Sequence, residues 1–267
     1  MPQPRFRLLK EILMETKPPI FQNPQMDGSS FYWEGKPNNK VGILLFHGFT
    51  ATTVEVRPVA KFLNIQGYTV MGPLLPGHGV SPQDLNRVTY LDWVRAGENA
   101  LIELKIKHEK VFVLGESMGG LLSLWLSAVY PDFIRGLLLF APALKIPGLW
   151  KSNIFWPFVE SKLKNNIDLS SPWQGFNVVP LRAASQLNRF QLQVLKKLPM
   201  VTTPMIIFQG KLDKTIDSSS SVEVLERAGS KSKQLVWLEE SSHCILLDKQ
   251  LAEAQTISLD FIKKLGG

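Results

Sequence analysis

The sequence predicts an α/β fold with a mostly parallel central sheet flanked by helices. Short apolar runs bounded by turn residues recur along the chain, longer stretches with helical periodicity lie between them, and the two kinds alternate. The length permits such a fold, because 267 residues can bury a sizeable core within one open α/β domain. An apolar share of 45% is that of an ordinary globular protein and argues against disorder as the dominant state.

The elements follow in chain order. Phe31-Tyr32-Trp33 fits an extra strand at one sheet edge. Val41 to Phe46 is continuously apolar rather than alternating, the pattern of a strand buried on both faces. Val56 to Gln66 carries apolar residues at three- and four-residue steps and stops at Gly67, so a helix is expected. Tyr68 to Met71 returns to a strand, Leu91 to Lys107 to a helix, and Val111 to Leu114 to a strand. Met118 to Val129 follows a glycine turn and ends before Pro131 as a further helix. Leu137–Phe140, Met205–Phe208 and Leu235–Leu238 complete the set of buried strands. The tail from Lys249 to Lys264 places Leu251, Ala254, Ile257, Phe261 and Leu265 on one helical face.

One region breaks the alternation. From about Ala143 to Pro199 no clear strand is readable. Trp150, Phe155, Trp156, Phe158, Trp173 and Phe176 are interleaved there with Lys, Asn and Ser. That is too aromatic for a disordered linker. A small, mainly helical insertion at 143–199 is expected, between core segments 1–142 and 200–267. Its aromatic residues are candidates for an acyl-chain channel, although packing onto the sheet is the expectation for any one of them.

Composition narrows the partners. The formal net charge is +7, but no dense Lys/Arg block and no nucleic-acid motif accompany it. The surplus is expected on a solvated face, with no nucleic-acid partner and at most peripheral membrane contact. Cys244 is the one cysteine, which excludes an intrachain disulfide and a thiolate metal cluster. Near the start, Leu8-Leu9 is cut by Lys10 and Glu11, so no secretory signal is read there. No run reaches the roughly 18 apolar residues of a membrane span, and a cytoplasmic protein is expected. Phe6 to Met14 fits a short amphipathic helix lying on a membrane, but packing on the domain or fraying is the favoured expectation.

Gly115-Glu116-Ser117-Met118-Gly119-Gly120 directly follows one strand and opens a helix, the context in which Gly-x-Ser-x-Gly marks a nucleophile elbow. The chain must turn sharply while holding Ser117 strained, and glycines let neighbouring backbone approach. A serine hydroxyl needs a base to take its proton. Of the histidines only His243 lies after Ser117, just past the last strand. The acid that orients it should lie between them. Asp213 follows the strand Met205–Phe208 directly and is favoured over Asp217, because Asp217-Ser218-Ser219-Ser220 reads as a helix N-cap. His47-Gly48-Phe49-Thr50 follows the strand Val41–Phe46, so the N–H of Phe49 and that of Met118 are the expected oxyanion donors. His47 and His78 read as hydrogen-bonding loop residues rather than second bases.

Together His47–Thr50, Pro76-Gly77-His78-Gly79, Gly115–Gly120 and the Asp213 and His243 segments resemble the bacterial carboxylesterase and monoacylglycerol lipase group of α/β hydrolases. The likeness runs over roughly residues 40 to 140 and 200 to 262. It implies the α/β-hydrolase fold, a cap over the site from 143–199, and Ser117, Asp213 and His243 as catalytic triad. It also implies hydrolysis of short- to medium-chain esters or monoacylglycerols, with no cofactor and no metal. Position 116 departs from the group, since many relatives carry His or Leu where this chain has Glu, placing a charge near the nucleophile. Thioesters, peptides, acyl transfer and carbon–carbon cleavage stay open for the same triad, because fold does not fix substrate. A non-catalytic ligand pocket is the reading from another class.

Overall fold

The computed structural model of the chain describes residues 19–165 and 167–266; the segment Phe6 to Met14 lies outside them. The strands in chain order are β1 (Phe21–Gln22), β2 (Phe31–Trp33), β3 (Val41–Phe46), β4 (Thr69–Gly72), β5 (Lys110–Glu116), β6 (Ile134–Phe140), β7 (Ser161–Leu163), β8 (Gly175–Phe176), β9 (Val178–Pro180), β10 (Met205–Gly210) and β11 (Lys233–Leu238). The helices are α1 (Arg57–Ile65), α2 (Pro82–Arg87), α3 (Tyr90–Lys107), α4 (Met118–Val129), α5 (Ser152–Phe155), α6 (Leu181–Lys197), α7 (Ser219–Arg227) and α8 (Leu251–Lys264).

Seven strands form the central sheet in the order β11-β10-β6-β5-β3-β4-β2. Neighbours run parallel except β2, which pairs antiparallel with β4 at one edge. The unbroken apolar sequences of the central strands follow from burial on both faces. Leu44, Phe46, Val113, Leu137 and Leu139 enter one core with residues of α3, α4 and α6. Their neighbours Ile43, Leu45, Leu114, Leu138 and Phe140 enter the other, against α1 and α8. Helix α3 starts at a capping box, in which the Thr89 N–H and hydroxyl both donate to Asp92 Oδ2 at 2.8 and 2.7 Å.

Two expectations are corrected. The stretch 143–199 holds short strands as well as helices: β7 pairs with β9, and β8 pairs with β1. Two- and three-residue strands are too short to show a period of two in sequence. Strand β11 is an edge strand, only partly buried along most of its length, with Trp237 exposed. Its apolar run resembles that of an inner strand because sequence alone does not show which strand lacks a neighbour on one side.

Candidate active site

The site is built where β3, β5, β10 and β11 end. Ser117 joins β5 to α4 with φ 56° and ψ −112°, a strained conformation for a residue with a side chain. Its N–H donates to the carbonyl of Phe140 at 2.9 Å, which anchors the turn to β6. A Cβ at Gly115 would lie 2.1 Å from the Gly119 carbonyl oxygen, and one at Gly119 would lie 2.2 Å from that of Phe46. The two glycines are therefore required by close backbone approach, and the turn can close only in their presence.

The three side chains read from the sequence come together. His243 Nε2 lies 2.9 Å from Ser117 Oγ, and His243 Nδ1 lies 2.8 Å from Asp213 Oδ2. The Asp213 side chain is fully buried. Burial pushes its pKa up, but the hydrogen bond and charge of His243 outweigh this, helped by the N–H groups of Ile216 and Thr215, and the net shift is downward. Asp213 Oδ1 accepts those two N–H groups at 3.1 and 2.8 Å, and Gln209 Nε2 donates to Oδ2 at 3.1 Å. Asp217 lies apart from this chain of bonds. Its carboxylate accepts the Ser219 N–H at 2.9 Å, at the start of α7.

Among the described residues, the N–H groups of Phe49 and Met118 donate to no backbone acceptor. The loop bearing Phe49 is fixed from below. His47 Nε2 accepts from the Leu75 N–H at 3.0 Å, so Nδ1 carries the proton and donates to the Gly48 carbonyl at 2.9 Å. Burial lowers the His47 pKa to about 4, which keeps the ring neutral. His78 stacks edge-on 4.9 Å from it and is likewise buried, with its pKa held well below the usual value by burial and by His47. Both rings are structural, as expected.

Glu116 is expected to add a charge near the nucleophile, whereas its burial disfavours the charged form. Its side chain is fully buried, and Oε1 accepts the Leu246 N–H at 3.2 Å. Burial and then the nearby Glu55 hold its pKa well above the ordinary carboxylate range. The Cys244 thiol, expected to pack, donates to Glu55 Oε1 at 3.8 Å, and burial and Glu55 push its pKa well up. Of the aromatic residues at 143–199, Phe176 and Phe190 are buried, whereas Trp150, Phe155, Trp156 and Phe158 are exposed rather than packed on the sheet.

Sequence reading missed Glu55, Gln209 and Lys164, and named Trp173 only among the aromatic candidates for an acyl-chain channel. A polar residue at the end of the otherwise apolar β10 was a usable signal for Gln209. Nothing in sequence tied Lys164 and Trp173 to a loop more than a hundred positions away. Among the described residues, no group of three or more His, Cys, Asp or Glu side chains could hold a metal ion. No helix among them is long and apolar enough to cross a membrane.

Known proteins share this arrangement of sequence and fold. The chain matches the family described as "Serine aminopeptidase, S33" over residues 37–173 and 170–250. It is 33% identical to a thermostable monoacylglycerol lipase of Bacillus sp. (strain H-257), over 92% of this chain and 99% of that protein. It is 29% identical to a carboxylesterase of Bacillus subtilis (strain 168), over 84% and 92%. Among solved structures, one reported for LipS and LipT, two metagenome-derived lipolytic enzymes, superposes with a TM-score of 0.84 at 27% identity, covering 89% of this chain and 98% of that one. The Paleococcus ferrophilus monoacylglycerol lipase, at 19% identity and a TM-score of 0.75 over 90% and 100%, shares the fold.

Proposed function

Because the chain belongs to the serine aminopeptidase S33 family of α/β hydrolases and is a serine hydrolase, we propose that it hydrolyses short- to medium-chain carboxylic esters or monoacylglycerols through an acyl-enzyme. The observation that carries this reading is the unbroken chain Asp213–His243–Ser117, with bonds of 2.8 and 2.9 Å and a strained serine at its end.

Ser117 Oγ attacks the ester carbonyl carbon while His243 Nε2 takes its proton. Asp213 holds the imidazole in the right tautomer and offsets its developing charge. The oxyanion rests on the Phe49 and Met118 N–H groups, which need no reorganisation to receive it. Collapse breaks the bond to the alcohol, and His243 gives that oxygen its proton. Water, deprotonated by His243, then attacks the acyl carbon; the bond to Ser117 Oγ breaks, His243 returns the proton to that oxygen, and the acid is released. Each step uses groups of this chain and the substrate, with no cofactor. The described residues of 143–199 act as the cap over a core made of those of 1–142 and 200–267. The exposed Trp150, Ile154, Phe155, Trp156, Phe158 and Val159 suit that cap to peripheral contact with a lipid surface.

The test is a turnover profile on aryl esters of graded acyl length, with mono- and diacylglycerols, thioesters and peptides alongside. Wild type should peak on short or medium esters or on monoacylglycerols. Ser117→Ala should lose nearly all turnover while keeping its fold. Asp213→Asn should cost on the order of 10⁴ in kcat, and Asp217→Asn little. A folded wild type that labels with a fluorophosphonate yet turns over no ester would move the substrate to the thioester or peptide class. Full activity in Ser117→Ala would refute the triad.

A further inference from the structure

Glu55 is a buried acid to which the proposed chemistry assigns no part. It ends a short 3₁₀ turn, Thr53–Glu55, that begins three residues after the Gly48–Thr50 loop. Only 3% of it is exposed. Both carboxylate oxygens are engaged: Oε2 accepts the Gly48 N–H, and Oε1 accepts the indole N–H of Trp173 at 3.2 Å and the Cys244 thiol at 3.8 Å. Gly48 is clamped between this carboxylate and the nucleophile, since a Cβ built on it would lie 3.0 Å from Glu55 Oε2 and 3.2 Å from the Ser117 Cβ.

The energetics argue against a purely structural role. A buried carboxylate costs free energy, and an apolar side chain of similar volume is often as stable or more so. Among the described residues no cation lies within ion-pair distance of Glu55. The nearby Lys164 ammonium instead donates to Thr50 Oγ1 at 2.6 Å and sits 4.3 Å above the Trp173 ring. Burial accordingly raises the Glu55 pKa, against the pull of the Gly48 N–H, His243 and Trp173. What the carboxylate provides is direction. It fixes the orientation of the peptide entering Gly48, and the next peptide in the chain carries the Phe49 N–H.

We propose that Glu55 is a positioning residue for the oxyanion loop, holding the Gly48 peptide so that the Phe49 N–H is aimed at the reacting oxygen, with Trp173 as its second anchor. This rests on the assignment of Phe49 as an oxyanion donor. Local bonds support the anchoring from the Trp173 side. The Phe176 N–H donates to the Thr50 carbonyl at 2.9 Å, and Thr52 Oγ1 donates to Gln174 Oε1 at 2.6 Å. The segment carrying Trp173 is thereby bonded to the same loop that Glu55 holds.

The effect should appear in the transition state and not in substrate binding. Losing an oxyanion donor costs about 10²–10³ in kcat, and misaiming one should cost part of that. Glu55→Gln keeps the shape but puts an NH₂ group where the carboxylate accepts from the Gly48 N–H on one side or from Trp173 and Cys244 on the other. It should lower kcat by about 10- to 100-fold, leave KM within about threefold, and weaken an alkylboronic acid by the same factor as kcat. Trp173→Phe keeps an aromatic ring but removes the indole N–H together with part of the ring volume, and should show a smaller loss of the same kind, in kcat and boronate affinity with KM little changed. A folded Glu55→Gln with wild-type kcat and boronate affinity overturns the assignment, as does a loss confined to KM. If Glu55→Gln does not fold, Trp173→Phe decides: parallel losses in kcat and boronate affinity support the role, and wild-type values refute it. A wild type that fails to label with a fluorophosphonate removes the triad reading and this assignment together. Normal labelling of wild type with an unchanged Glu55→Gln removes this assignment alone.

Discussion

A single side chain can oppose the fold it sits in, and Glu116 does so in a pH-dependent way. Its Oε1 accepts the Leu246 N–H, while Oε2 has no partner among the described residues. Burial and the neighbouring Glu55 keep it protonated where the unfolded chain would have released the proton. The folded-state pKa therefore lies above the unfolded value of about 4.3. The fold binds the extra proton, so this group's contribution is complete below the unfolded value and is lost as pH rises towards the folded one. Glu116→Gln retains the acceptor for Leu246 and has no proton to lose. It should be more stable than wild type at pH 8, with the gain shrinking towards pH 4. Urea midpoints at pH 4, 6 and 8 measure this, and a gain independent of pH would refute the account. The sequence announced a Glu at this position but not its state, because a carboxyl's charge depends on neighbours brought in by folding.

At the scale of elements, the join between β5 and α4 carries the tightest constraint. A Cβ at Gly119 would meet the Phe46 carbonyl oxygen at 2.2 Å and its carbon at 2.6 Å, both backbone atoms of β3. Neither can yield without moving the oxyanion loop. Gly119→Ala should cost about 3 kcal/mol or more, read from the denaturation midpoint. Gly148→Ala is the contrast: φ is +72° but the nearest atom is a Lys151 side-chain carbon at 3.9 Å, so only the backbone strain of about 1–2 kcal/mol should appear. Equal costs for the two variants would remove the steric explanation. This join was legible in sequence because glycine spacing, an apolar strand and a helix of matching period all agree over the same residues, and α4 runs Met118–Val129 as expected. The positions of His243 and Asp213 were legible for a related reason, as each follows an apolar strand in the order that strand ends dictate. Glu55 was not, because its meaning comes from Trp173, a residue distant in sequence that only the fold brings near. Strands β7, β8 and β9 were hidden by their brevity.

The whole molecule carries two features that bear on where it works: a net charge of +7 and a run of uncovered apolar side chains. Phe158 is 83% exposed and Trp150 56%, with Ile154 and Phe155 about as open as Trp150. All lie between Leu149 and Glu160, in a segment that also carries the exposed Lys151. Uncovered aromatic side chains gathered in one stretch are, as a rule, what interaction surfaces present. Insertion into a lipid interface would rest mainly on apolar burial, worth about 1.5–3 kcal/mol for a full phenylalanine side chain, with charge adding attraction to anionic headgroups. The two contributions separate by salt, because screening weakens exposed charges and leaves apolar burial in place. Co-sedimentation should therefore show binding to zwitterionic vesicles that persists at high salt, and tighter binding to anionic vesicles that high salt reduces to the zwitterionic level. Replacing Trp150 and Phe158 together by Ser should weaken both by about 100-fold, on the order of tenfold for each side chain. If the double variant binds like wild type, or if high salt abolishes wild-type binding altogether, the apolar run is not the anchor and the net charge is the attractive force that remains.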